Sequence, residues 1–159
     1  VGGSGLLLTN VAGALAFGDL EVVADGGDAL RISGTGAFTG MAGTLVTVDP
    51  LAGNLRATGG AAVDVSSATV DLRLNTATSV NSPSTGVSLS NVVDGTTSDA
   101  LFESGSSSSI SGAAVTSFNV SGGNAAIGYA GSITAGTSST VVNVNGWAGD
   151  DTTGVHPTI

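Results

Sequence analysis

The sequence predicts an all-β fold, and within that class a right-handed parallel β-helix with irregular coils, on three observations. A phrase recurs along the chain: a Gly, a short apolar run, then Ser or Thr followed by Asn-Val or Gly, as in Gly5–Val11, Gly27–Ser33, Gly60–Ser66, Gly86–Val92 and Gly112–Val120. Self-similarity at intervals of a few tens of residues marks a solenoid, whose units bury their apolar faces only by stacking on one another. Apolar residues also alternate with polar ones at period two, the pattern of a half-buried strand. Finally, Gly makes up 26 of 159 residues, while the usual surface helix formers Lys, Gln and Glu are nearly absent. An antiparallel β-sandwich is the alternative architecture.

The elements follow in order from the alternation. Strands are expected at Leu15–Phe17, Leu20–Val22, Leu30–Ile32, Val63–Val65, Val70–Leu74, Val87–Leu89, Ile127–Tyr129 and Val142–Val144. One face of each carries Leu, Ile, Val or Phe and the other carries Asp, Arg, Glu or Ser. The inward set is Leu6, Leu8, Phe17, Leu30, Ile32, Val63, Val65, Leu72, Leu74, Leu89, Phe118, Val120, Ile127 and Val144. Gly26-Gly27, Gly59-Gly60, Gly122-Gly123 and Asn145-Gly146 punctuate the strands as turns. Asn81–Thr85 and Ser104–Ser109 are polar and of low complexity, suited to exposed loops. The glycines that open the phrases are unevenly spaced, 22 residues from Gly5 to Gly27 but 33 from Gly27 to Gly60, which suits coils whose turns absorb length differences. Residues 1–146 therefore read as one β-solenoid domain. Residues 147–159, with the only Trp and the only His, read as an irregular tail or cap.

Composition excludes several partners. Twelve carboxylates stand against three arginines and no lysine, a net charge of −9, so binding to phosphate by counterion release has little to work with and no nucleic acid partner is expected. With no Cys there is neither a disulfide framework nor a thiolate metal site. No run approaches the roughly 18 apolar residues of a membrane span, so no membrane insertion is expected. The first residues lack the basic region of a signal peptide, and the chain reads as a mature product or a segment of something longer.

The phrases Gly5–Gly13, Gly86–Val92 and Ala126–Ile133 resemble the β-strand-repeat regions of very large bacterial secreted or cell-surface proteins, which are similar to pectate-lyase-like β-helices and adhesin passengers. The resemblance covers about Gly5 to Gly146. It implies an extracellular or cell-surface scaffold, and it carries no catalytic motif with it.

The chemistry of the remaining residues is sparse. A lyase needs a base, and a cation or arginine beside its uronate substrate; the chain has no Lys, and Arg31, Arg56 and Arg73 sit at outward strand positions. A hydrolase needs clustered carboxylates, and Asp150-Asp151 is the only adjacent pair. No catalytic or cofactor-binding residue is assigned, and the chain is not read as an enzyme. His156 lacks a second His or a Cys with which to hold zinc. Asp25, Asp28, Asp94, Asp99, Asp150 and Asp151 lie in or beside turns; they read first as turn formers, with weak calcium ligation as the alternative. Gly34–Gly40 has the wrong spacing for a dinucleotide loop. The sequon Asn119-Val120-Ser121 falls in a strand, where burial would hide it.

The function expected is structural: a subunit or segment of a surface fibre, filament or adhesin, self-associating end to end or laterally. A glycan-binding or glycan-cleaving β-helix is the alternative, although aromatic residues are only 4% of the chain. An ice-binding solenoid is weaker still, because the threonines follow no regular coil position.

Overall fold

The computed structural model describes residues 3–11, 15–34, 45–93, 101–136 and 139–148, with the side chains of 45–52 and Leu101 outside the description. The described residues form strands and connections and no helix. In chain order the strands are β1 (Leu6–Thr9), β2 (Leu15–Phe17), β3 (Glu21–Asp25), β4 (Leu30–Ser33), β5 (Leu45–Thr58), β6 (Val63–Ser66), β7 (Thr69–Val80), β8 (Thr85–Ser90), β9 (Leu101–Ser104), β10 (Ser109–Ala113), β11 (Thr116–Ser121), β12 (Ala126–Tyr129), β13 (Ser132–Ala135) and β14 (Thr140–Asn145). Each strand expected from period-two alternation is present. β1 and β11 fall within the recurring phrases Gly5–Val11 and Gly112–Val120, and the strands β5, β9, β10 and β13 are additional. Every ladder among the described residues is parallel, so the antiparallel β-sandwich does not describe this chain.

One sheet runs β1-β4-β6-β8-β11-β14. Its register sets Leu6 beside Leu30, then Val63, Val87, Phe118 and Val142, and sets Leu8 beside Ile32, Val65, Leu89, Val120 and Val144. Because side chains alternate between faces, these two columns form a continuous apolar wall. From Leu30 to Val120 the wall is buried. Leu6, Leu8 and Val142 are partly buried against it. Val144 differs from expectation: it is 43% exposed, because β14 ends the sheet and no further described strand covers it. Successive steps along this sheet span 24, 33, 24, 31 and 24 residues, a different series from the spacing of the phrase-initial glycines. The two long steps contain the β4–β5 and β8–β9 connections, and the short ones keep a common length.

The second sheet is built in two halves. The first half of β5 pairs with β2 and its second half with β3. On its other side β5 pairs with β7, whose own two halves then pair with β9 and β10. Finally β12 adds to β9 and β13 to β10. The register of β5 slips between Val48 and Gly53, an interval containing Pro50, which has no N–H to give to a ladder. Leu55, Leu72, Leu74, Phe102 and Ile110 point inward from this sheet and are fully buried. At the centre of the core the Phe118 ring lies 6.2 Å from Phe102 and 5.3 Å from Tyr129. Phe17 and Ile127 take the inward places expected of them.

The recurring Ser/Thr-Asn/Gly phrase is the turn that follows each strand of the first sheet. Asn10, Ser67, Asn91, Gly122 and Gly146 there all have positive φ, a conformation open to Gly and tolerated by Asn. Each of these turns but the last donates its amide to the end of the neighbouring strand, as Asn10 does to Ser33 O at 2.9 Å and Asn91 to Ser121 O at 2.7 Å.

Two other expectations change. Ser104–Ser109 is not an exposed loop: Ser104 and Ser108 are buried, Ser109 opens β10, and only Ser106 and Ser107 face solvent. The small hydroxyl side chains permit this, since Ser108 Oγ accepts the Ala77 N–H at 2.9 Å inside the core. Asn119 is not hidden in the interior either. It faces outward from β11, where its Oδ1 accepts the Asn143 Nδ2–H at 2.7 Å. Trp147 turns back to pack against the core and donates its Nε1–H to Ala125 O at 3.1 Å. Residues 149–159 lie outside the described set, and with them the rest of the expected tail.

Candidate polar groove

The three connections β3–β4, β5–β6 and β7–β8 lie one above another and enclose a groove of about 380 Å³. Gly26-Gly27 and Gly59-Gly60 line it without side chains. Close stacking demands this: a methyl on Gly60 would overlap the Gly27 carbonyl. Ser82, Pro83, Ser84 and Thr85 also line it, with Ser82 Oγ donating to Thr85 O at 2.9 Å. So does the outward row of the first sheet, Arg31, Asp64 and Ser88, placed side by side by the β4–β6 and β6–β8 registers.

The charged groups in the groove form a chain. Asp28 Oδ1 accepts the Ala61 N–H at 2.8 Å, tying the β3–β4 connection to the β5–β6 connection. Its Oδ2 lies 3.8 Å from Arg31 Nη1, and Arg31 Nε lies 3.4 Å from Asp64 Oδ2. Two carboxylates thus flank one guanidinium, on a side chain that is 52% exposed. Burial pushes the Asp64 carboxyl above its ordinary value of 3.8; Arg31 opposes the shift, the Asp28 charge adds to it, and a hydrogen bond with Ser88 opposes it. Between the ordinary and the raised pKa the folded chain holds more protons than the unfolded one, so stability falls as pH rises through that window. The variant Asp64→Asn is expected to lose this slope. Denaturation midpoints of both chains across the acid range measure it, and a wild-type curve that rises relative to the variant would contradict the sign.

The remaining site residues of the sequence reading are dispersed. Asp25 is exposed at the end of β3, and Asp28 stands in the groove. Asp94, Asp99, Asp150, Asp151 and His156 lie outside the described residues, as does most of Gly34–Gly40. Among the described residues no group of three or more His, Cys, Asp or Glu is placed to hold a metal ion. Arg56 is exposed on β5, and Arg73 pairs with Asp71 at 3.0 Å on the outer face of β7. Phe102, Phe118 and Tyr129 are buried, and Tyr129, whose pKa burial raises, donates its hydroxyl to Ala77 O at 3.3 Å. Asp64 went unmarked in the sequence. The available signal was its place in the second residue of Val63-Asp64-Val65, matching Arg31 in Leu30-Arg31-Ile32 of the preceding repeat.

Comparison of the chain with family models, with curated proteins and with solved structures finds no match. No helix among the described residues is long and apolar enough to cross a membrane.

Proposed function

We propose that the two sheets close into a right-handed β-helix that serves as a structural scaffold outside the cell, a subunit or segment of a surface fibre, filament or adhesin. The carrying observation is the unbroken parallel register of the first sheet, β1 to β14, interleaved in sequence with the strands of the second sheet. The chain visits one sheet and then the other, and returns one place further along, which is the path of a solenoid. Handedness follows from the strong general preference of parallel crossovers. The inward aromatic residues Phe102, Phe118 and Tyr129 serve the core that ties the two sheets together.

Such a scaffold grows at its ends. Among the described residues β1 and β14 are each paired on one side only, with Leu7, Val141 and Val144 exposed on them. A parallel edge is met most simply by another parallel strand, from a further coil or another copy, and a head-to-tail contact continues into a filament unless its rotation closes. Light scattering of the purified chain, with negative-stain images, is expected to show concentration-dependent species larger than a monomer, extended along one axis. A monodisperse monomer over a wide concentration range defeats self-assembly and leaves a scaffold whose edges are met within one polypeptide.

A further inference from the structure

We propose that the groove over the β3–β4, β5–β6 and β7–β8 connections binds a neutral, hydroxyl-rich saccharide, with the carboxylates of Asp28 and Asp64 accepting hydrogen bonds from its hydroxyls and Arg31 donating to them. This goes beyond the scaffold reading and does not depend on it. The volume, about 380 Å³, falls within the range of small-molecule sites, roughly 300–1,000 Å³.

The lining selects the ligand chemistry by elimination. A sugar hydroxyl both donates and accepts, and the groove offers carboxylates that only accept, a guanidinium that only donates, and the hydroxyls of Ser84 and Ser88, which do either. Arg31 has five N–H donors, more than its two carboxylate contacts use, and about half of its side chain is open to solvent. An anionic ligand meets two carboxylates against one guanidinium on a chain of net charge −9. A bare metal cation meets the guanidinium lying between those carboxylates. A flat aromatic ligand finds no aromatic wall. The glycines of the lining carry no side chains and so admit close approach, and the groove spans three consecutive connections, so a short run of sugar units can lie along it. Charged hydrogen bonds to a carboxylate are the stronger kind, so Asp28 and Asp64 dominate recognition.

The test is a titration of the isotope-labelled full chain, followed through its amide resonances, with a panel of neutral tetrasaccharides built of glucose, mannose or galactose, and with an acidic galacturonate oligomer. At least one neutral member is expected to give saturable shifts confined to the amides of Gly26, Gly27, Gly59, Gly60 and Ser84, with at least tenfold weaker binding of the acidic oligomer. Asp64→Asn is expected to weaken the neutral ligand about tenfold. Ser88→Ala, an outward change that leaves the ion pairs intact, is expected to weaken it severalfold. Unshifted resonances of core residues such as Phe118 certify that each variant is folded. No saturable shift with any neutral member, preferential binding of the acidic oligomer, or shifts scattered outside the groove overturns the proposal. Assembly measured by light scattering is expected to be the same in both variants, so failure here and failure of the scaffold reading are separate results.

Discussion

Replacing Phe118 by Ala is expected to lower the unfolding free energy by about 3–5 kcal/mol, the range for deleting a fully buried aromatic ring. Phe118 stands in the inward column of the first sheet, between Val87 and Val142, and its ring reaches Phe102 and Tyr129 of the second sheet. It is therefore a principal tie between the two sheets, and with no cysteine the chain has no covalent cross-link to compensate. Since domains of this size are stable by only about 5–15 kcal/mol, the loss is a large share of the total. Val144→Ala, at the exposed end of the same wall, is expected to change stability by less than about 0.5 kcal/mol, the usual scale of surface substitutions. Urea denaturation of the two variants beside the parent chain checks both. Equal losses would mean that burial in this core does not follow the register described above.

The strands and their inward faces were legible in the sequence because period two is a direct consequence of the pleat. Leu30-Arg31-Ile32 and Val63-Asp64-Val65 show it plainly, and both lie as expected. Where the pattern fails, small residues are the cause. In Ser104 to Ser111 serines occupy inward and outward places alike, so alternation vanishes even though Ser104 and Ser108 are buried and Ile110 points into the core. β5 hides behind Pro50 and the Gly53-Asn54 slip of register. The step from strand to strand is not the spacing of the phrase-initial glycines, because Gly86 and Gly112 hold different places: Gly86 lies in β8 opposite the region of Ser117, whereas Gly112 occupies a positive-φ position beside Asn81. The groove was illegible for a different reason. Asp28 and Arg31 are three residues apart, but Asp64 joins them only through a step of 33 residues, and its matching place in the next repeat is the one signal that sets it beside Arg31.

Gly123→Ala is expected to destabilise the chain by about 2–5 kcal/mol, the sum of roughly 1–2 kcal/mol for forcing a side chain into the left-handed region and roughly 1–3 kcal/mol for overpacking. Gly123 has φ of 80°, and a methyl there would overlap the Val92 carbonyl oxygen. That oxygen already accepts the amides of Asn124 at 3.0 Å and Ala125 at 3.3 Å, so moving it breaks the link between two neighbouring turns. Gly146→Ala separates the two costs. Its φ of 65° is equally left-handed, but its nearest neighbour, the Gly122 nitrogen, is 3.9 Å from the added carbon, so only the conformational part remains, about 1–2 kcal/mol. The site of the damage can also be read out. Gly123 O accepts the Ala148 N–H at 2.9 Å, immediately beside Trp147, the only tryptophan of the chain. In Gly123→Ala the fluorescence of Trp147 is expected to shift to longer wavelength at lower denaturant than is needed to lose the β-sheet signal, because the terminal turn opens first. A variant in which both signals move together, or in which Gly123→Ala costs no more than Gly146→Ala, would show that the stacked turns have room to relax and that their close approach does not hold the strands in register.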